Sequence, residues 1–162
     1  MNYKIVQMDF WQDEKIRSMT TEERGFYLYL LTNPYSSNVG IYKITKEEIK
    51  SDTGYEIDQI CNMISSLISK YKVIAYNENT NEIAINKWGK YNLIKGGKNV
   101  EESIKKQLSE VEDKSLVTYV ALNISKRWAL ELYTQYCDEK LTYYDIKELQ
   151  FKKSNYSNSY KH

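Results

Sequence analysis

One short stretch, VIAYNENTNEIAINKW at residues 73–88, constrains the fold of this chain more than any other. Two apolar, β-branched segments, VIAY and IAIN, flank ENTNE, and this pattern predicts a β-hairpin with its turn at residues 77–81. A two-stranded hairpin on its own is barely stable in water. The rest of the chain must therefore supply a further strand and a helical layer against which the hairpin packs.

Two helices and a strand are predicted ahead of the hairpin. TTEE at residues 20–23 has the capping-box spacing, in which a Thr side chain accepts a backbone N–H and a Glu three residues later reaches back. Proline disfavours helix at the residue before it, so the first helix should span residues 21–32 and stop ahead of Pro34. GIYKI at residues 40–44 predicts a short strand, and a second capping box at residues 45–48 starts a brief helix that ends at the DTG turn.

A third helix is predicted from Tyr55 to about Lys72. Its apolar residues recur at intervals of three and four and so form one stripe: Ile57, Ile60, Cys61, Ile64, Leu67 and Ile68. This order of elements is satisfied if the lone strand pairs with the hairpin beside the helices. The sequence therefore predicts a mainly α fold with a small antiparallel sheet, arranged as a winged helix-turn-helix domain over residues 1–95.

The composition changes after Trp88. WGKYNLIKGGK is rich in glycine and lysine and is interpreted as a hinge, and a short helical C-terminal extension is predicted over residues 96–150. The first helix of this extension carries an apolar stripe at Val100, Ile104, Leu108 and Val111. So short a segment makes a thin core, so the stripe should pack on the winged helix or on a second copy of the chain, and we favour the second copy. The polar tail, residues 151–162, is predicted to be disordered.

Charge and chemistry narrow the class of protein. The formal net charge is +1, from 23 basic and 22 acidic residues, so any attraction for nucleic acid must come from clustering. No apolar run approaches the roughly 20 residues of a membrane span, and no secretion signal opens the chain. We therefore expect a cytoplasmic protein of a bacterial host cell, without a membrane partner, in which Cys61 and Cys137 are reduced thiols.

Enzymatic activity is not expected. The one histidine, His162, is the terminal residue, and the sequence has no Cys/His metal spacing. GGK at residues 96–98 lacks the frame of a phosphate-binding loop. Glu47 and Glu48 stand in the first turn of a helix, where the helix dipole accounts for them. The expectation is therefore no catalytic residue, no metal site and no cofactor.

Several motifs in a fixed order resemble a known family. FWQD, TEERGFYLYLLTNP, GIY, DTGY and KWGKYN followed by GGK, over residues 7–98 and more weakly to residue 124, resemble the N-terminal winged-helix domain of phage replisome organisers, the DnaD-like replication proteins. The resemblance implies replication initiation, with origin DNA, further copies of the chain, and host or phage replication proteins as partners. Residues 99–162 do not match the larger C-terminal helical domain of that family, so the resemblance does not extend to helicase loading.

The strongest basic cluster surrounds the hairpin. Its lysines are Lys70, Lys72, Lys87, Lys90, Lys95 and Lys98, and Glu78 and Glu82 are the acidic residues that oppose them. Trp88 and Tyr91 are interleaved with these lysines, a pattern typical of sequence-tolerant binding to single- or double-stranded DNA. The six lysines and Tyr91 are the predicted DNA-binding residues. The equal alternative is that the lysines are merely solvated and that Tyr91 packs with Trp88, which is expected to pack the end of the hairpin onto the core. Phe10 and Trp11 are expected to cap that core.

The outer face of the third helix is a second candidate surface. Its residues are Tyr55, Gln59, Asn62 and Ser66. Gln and Asn can read adenine edges, but Glu56 and Asp58 would face phosphates, so contact with a protein, or a plain solvated face, is favoured over contact with DNA. The alternative function is accordingly a winged-helix adaptor, or a phage-encoded inhibitor of a host nucleic-acid machine such as a defence complex. A transcriptional repressor would fit the fold but would lack a basic recognition helix.

Overall fold

The computed structural model describes residues 3–158 of the chain. A 3₁₀ turn at Met8–Gln12 precedes the first helix. The strands of the described residues are β1 (Ile41–Lys43), β2 (Ile74–Asn77) and β3 (Glu82–Ile85). The helices are α1 (Glu14–Ser18), α2 (Thr21–Thr32), α3 (Lys46–Thr53), α4 (Ile57–Ser69), α5 (Trp88–Asn92), α6 (Lys98–Glu110), α7 (Lys114–Ala121), α8 (Arg127–Thr134) and α9 (Tyr143–Asn158). Within these residues, no helix combines the length and the apolar character needed to cross a membrane.

The three strands form one antiparallel sheet in the order β1-β3-β2. The hairpin pairs Ile74 with Ile85, and the lone strand pairs Ile41 with Ala84. The predicted pairing of lone strand and hairpin is therefore confirmed. With α2, α3 and α4 beside the sheet, the fold is a mainly α winged helix-turn-helix followed by a helical extension, as the sequence predicted.

Local sequence signals place the ends of the early helices. The Thr20 hydroxyl accepts a hydrogen bond from the backbone N–H of Glu23 at 3.1 Å, and Thr45 does the same for Glu48 at 3.1 Å. In each case the Glu carboxylate accepts from the N–H of the Thr, which completes the capping box. Gly54 ends α3 in a left-handed conformation, with φ of +76°.

The extension packs against the winged helix within the same chain. Helix α7 covers β3, and the buried Tyr133 hydroxyl on α8 donates a hydrogen bond to the carbonyl of Val39 at 2.8 Å. Ile104 and Leu108 on α6 are fully buried in the core that the two parts share. The preference for a second copy as the cover of this stripe is thus corrected, because Ile104, Leu108 and Val111 are buried by their own chain. Val100, at the start of the stripe, is exposed.

This packing buries both faces of β3. All four of its residues are buried, since α4 lies toward one side of the sheet and α7 packs on the central strand. Glu82 is included, and its two carboxylate oxygens accept hydrogen bonds from the backbone N–H groups of Glu112 and Asp113 at 2.9 and 2.8 Å. Glu82 is therefore not a surface charge that opposes the lysines, as the sequence had suggested.

The C-terminal tail differs from its prediction over residues 151–158, which continue α9. Ile146 anchors this helix in the core, and the Gln150 side chain donates to the carbonyls of Ala121 and Ile124 at 3.3 and 2.9 Å. These bonds hold the middle of α9 against the end of α7, so the helix can run on past them. Residues 159–162, with His162, lie outside the described part of the chain.

Candidate nucleic-acid interface

Strand pairing brings two of the predicted lysines together. The backbone N–H of Asn86 donates to the carbonyl of Val73 at 2.9 Å, just beyond the Ile74–Ile85 pair of the hairpin. Lys72 lies just before β2 and Lys87 just after β3, so both are at this open end of the sheet. Lys72 has a φ of +54°, a left-handed conformation that turns the chain from α4 into β2.

Two further lysines, from distant parts of the sequence, join this pair. Lys15 lies on α1 and Lys153 on α9, and both are exposed. Partial burial lowers the pKa of Lys15, and the charges of Lys87, Lys153 and Lys72 lower that pKa further, while Asp13 opposes them. The charges of the other three lysines thus act on Lys15. We call Lys15, Lys72, Lys87 and Lys153 the four-lysine surface.

Asp13 partly neutralises the four-lysine surface. Its carboxylate accepts a hydrogen bond from Lys87 Nζ at 3.2 Å and another from the backbone N–H of Lys15 at 2.8 Å. Partial burial raises the pKa of Asp13, but these contacts outweigh it and hold the pKa below its usual value. Asp9 and Glu14 are exposed on the same segment. Among the described residues, Lys87 is the one lysine of the four that forms an ion pair.

The other predicted DNA-binding residues are not among the charges that act on Lys15. Lys70 Nζ lies 4.9 Å from the centre of the Tyr71 ring, and Lys90 Nζ lies 5.1 Å from that of Tyr91. Lys95 lines a groove beside the N-terminal segment, and Lys98 begins α6. Of the predicted basic cluster, Lys72 and Lys87 thus belong to the four-lysine surface, together with Lys15 and Lys153, which the sequence reasoning had not included.

Tyr91 is partly buried at the edge of an apolar pocket. The pocket is also lined by Lys87, Asp13 and Phe10, and the backbone carbonyl of Tyr91 accepts a hydrogen bond from the Gln7 side chain at 2.9 Å. Tyr91 thus helps to hold the N-terminal segment against α5. Tyr91 shares this pocket with Lys87, a member of the four-lysine surface.

Trp88 packs into the core, as predicted. It is 4% exposed, and its indole N–H donates to the carbonyl of Asn38 at 2.9 Å. A buried indole with a satisfied N–H cannot stack on a base, so Trp88 is a structural residue.

Trp11 was misjudged by the sequence reasoning. Phe10 does cap the core, since its ring stacks on that of Tyr27 with centroids 6.1 Å apart. Trp11 instead remains 54% exposed, two residues before Asp13 and four before Lys15. The sequence signal for this site is FWQDEK, in which an aromatic residue closely precedes a cation.

The outer face of α4 has no Lys or Arg between Ile57 and Ser69, and the lysines of the neighbouring α3 are paired. Lys50 forms an ion pair with Glu56 at 2.7 Å, and Lys46 forms one with Glu78 at 2.7 Å. The Gln59 side chain accepts from the backbone N–H of Glu56 at 3.0 Å, so it serves as part of the helix cap.

The remaining predicted residues of this face differ in how far they are available to a partner. Asn62 is exposed and Ser66 is partly exposed, whereas Tyr55 is half-buried against the core. The surface that winged helices commonly offer to the major groove is therefore uncharged or acidic here.

Comparison with known proteins adds no further assignment. No family model, no curated protein and no solved structure matches this chain. Within residues 3–158, no group of His, Cys, Asp and Glu side chains is arranged to hold a metal ion. Cys61 and Cys137 are free thiols.

Proposed function

We propose that this chain is a DNA-binding protein of phage DNA replication that contacts the phosphate backbone through the four-lysine surface. One observation carries the proposal: the hydrogen bond between Asn86 and Val73 brings Lys72 and Lys87 to one end of the sheet, and the Asp13 carboxylate bonds both Lys87 and the backbone of Lys15. The charge of Lys153 on α9 also acts on Lys15. Like charges repel, so such a cluster is most stable against a polyanion. The replication role is supported by the winged-helix fold and by the resemblance to replisome organisers.

The test is DNA binding, followed by fluorescence anisotropy across a salt series, of a variant that removes three of the charges. K15Q, K72N and K153Q are combined, because Asn tolerates the left-handed backbone at position 72 and Lys87 is kept as the partner of Asp13. Each phosphate contact contributes about 0.7 to the log–log salt slope for single-stranded DNA. We expect the slope to fall by about 2 and the affinity to drop roughly 10- to 100-fold.

The matched control removes three charges from predicted lysines that are not part of the four-lysine surface. The K90Q, K95Q and K98Q variant has the same net charge as the test variant, and all three residues are exposed. We expect it to retain most of the affinity and the salt slope. An equal loss in both triple variants would assign the binding to net charge and would overturn the four-lysine surface. Light scattering on the same samples gives the mass and so tests the self-association that the resemblance implies.

A second candidate function, recognition of a protein through the outer face of α4, is favoured by the pairing of Lys46 and Lys50 with glutamates. In this case the chain is an adaptor or an inhibitor of a host nucleic-acid machine. The combined change N62E and S66E adds two negative charges to this face. It should leave DNA affinity unchanged and abolish capture of a protein that the lysine variant still binds. A large loss of DNA affinity in N62E/S66E would instead place DNA on this face.

A further inference from the structure

Trp11 is a large apolar side chain left exposed in a rigid setting. It lies in the 3₁₀ turn Met8–Gln12, and its ring meets that of Phe10 edge to face with centroids 5.0 Å apart. Phe10 is in turn stacked on the buried Tyr27. The backbone carbonyl of Trp11 also accepts a hydrogen bond from Arg17 Nε at 3.2 Å. The indole is thus supported by the core while half of it faces solvent.

Trp11 lies on the same segment as two residues that form or contact the four-lysine surface, Asp13 and Lys15. The 3₁₀ turn leads directly into Asp13, which is bonded both to Lys87 and to the backbone of Lys15. Arg17, bonded to the Trp11 carbonyl, adds a further cation to this segment. An exposed aromatic ring on the same short segment as cations is a combination that suits single strands, since cations hold phosphates while the ring stacks on a base.

We propose that Trp11 and the four-lysine surface together select single-stranded DNA, with the indole stacked on one unpaired base and the lysines on the adjacent phosphates. The inference rests on the proposed function and adds strand preference to it. In a duplex, the faces of the bases are covered by their neighbours, so the indole has nothing to stack on. The lysines serve both forms of DNA, whereas Trp11 serves the single strand alone.

Two substitutions at this position separate stacking from folding. W11A removes the ring and W11F keeps an aromatic face. A stacked aromatic side chain contributes enough that its removal should weaken binding to oligothymidine about 5- to 100-fold, with little change in duplex affinity. The salt slope should stay the same, because no phosphate contact is lost. W11F should retain most of the single-strand affinity.

The matched control is Y144A on α9, which removes another exposed aromatic ring, 73% exposed. It should bind both forms of DNA as the unsubstituted chain does. Tryptophan fluorescence supplies a second readout: Trp88 is buried and Trp128 is partly buried, and both remain in W11F. We expect W11F to lose most of the quenching by oligothymidine, and the part that it loses reports Trp11.

The outcomes distinguish this inference from the proposed function. If the triple lysine variant loses binding but W11A keeps its single-strand affinity, the proposed function stands and the stacking role is overturned. If the unsubstituted chain binds neither form of DNA at low salt, the proposed function fails and the inference fails with it. If W11A binds DNA normally but loses oligomer mass, Trp11 belongs to a contact between copies and the inference is wrong.

Discussion

Gly40, at the entry to β1, has little freedom to change. Its φ is +74°, and a Cβ at this position would overlap the side chain of Trp88. The close approach lets Trp88 lie against the backbone and reach the Asn38 carbonyl. Gly54 has nearly the same conformation, with φ of +76°, but open space where its Cβ would be. A substitution at Gly54 therefore adds backbone strain alone, whereas one at Gly40 adds backbone strain and steric overlap.

We expect G40A to destabilise the protein more than G54A does. A left-handed conformation costs an L-residue about 1–2 kcal/mol, and this term applies to both variants. Overlap with a packed ring adds about 1–3 kcal/mol in G40A alone. Urea unfolding followed by circular dichroism measures both free energies of unfolding. Equal losses in the two variants would show that Trp88 can move aside.

At the scale of secondary-structure elements, Glu82 links the wing, which is the β2–β3 hairpin, to the helical extension. Its buried carboxylate on β3 accepts both N–H groups of residues 112 and 113, which lead into α7. Two exposed or half-exposed contacts follow the same path: Asn77 donates to Asp113 at 2.7 Å, and Lys43 pairs with Glu112. The hairpin is thus held against α7 and is not a free wing.

The substitution E82Q tests this link. One carboxylate oxygen is replaced by an amide NH₂, so one backbone N–H is left without an acceptor in a buried place. The expected cost is about 1–3 kcal/mol in the free energy of unfolding, measured by urea denaturation. The control is E78Q, which breaks the exposed pair with Lys46 and should cost less than about 1 kcal/mol. Comparable values for E82Q and E78Q would contradict the proposed link.

At the scale of the whole molecule, the winged helix and the extension share one core. Residues on either side of the glycine-rich segment at 96–97 belong to the same buried cluster. Helix α7 buries Leu116, Val117, Val120 and Ala121 while it covers β3. Each of the Leu and Val side chains contributes about 1.5–3 kcal/mol on burial, which is large beside the roughly 5–15 kcal/mol stability of a typical domain.

We therefore expect one cooperative unfolding transition for the full chain. Tryptophan fluorescence, circular dichroism and urea midpoints should coincide, because the two parts stabilise each other. A chain that ends at residue 95 should lack a cooperative transition, since the second face of β3 is uncovered. A cooperative transition of the 1–95 fragment, with stability close to that of the full chain, would mean that the winged helix is an independent domain.

The order of the winged-helix elements was determined by the sequence, because its signals are local. Both capping boxes, the proline after α2 and the Asn-rich hairpin turn act within a few residues, so they place α2, α3 and the hairpin without reference to the rest of the chain. The apolar stripe of α4 likewise follows from its spacing. Trp88 was assigned to the core for the same reason: it directly follows an apolar strand.

The tertiary structure alone decided which surfaces remain available. The three residues after Glu82 in β3 are all apolar, so the sequence does not say whether one or both faces of the strand are covered. The second layer is α7, and the contact of Asp113 with Glu82 at its start joins residues 31 positions apart. The grouping of Lys15 and Lys153 with Lys72 and Lys87 depends on the packing of α1 and α9. Charge–charge contacts and burial are set by distances in space, and sequence spacing carries no information on them across such separations.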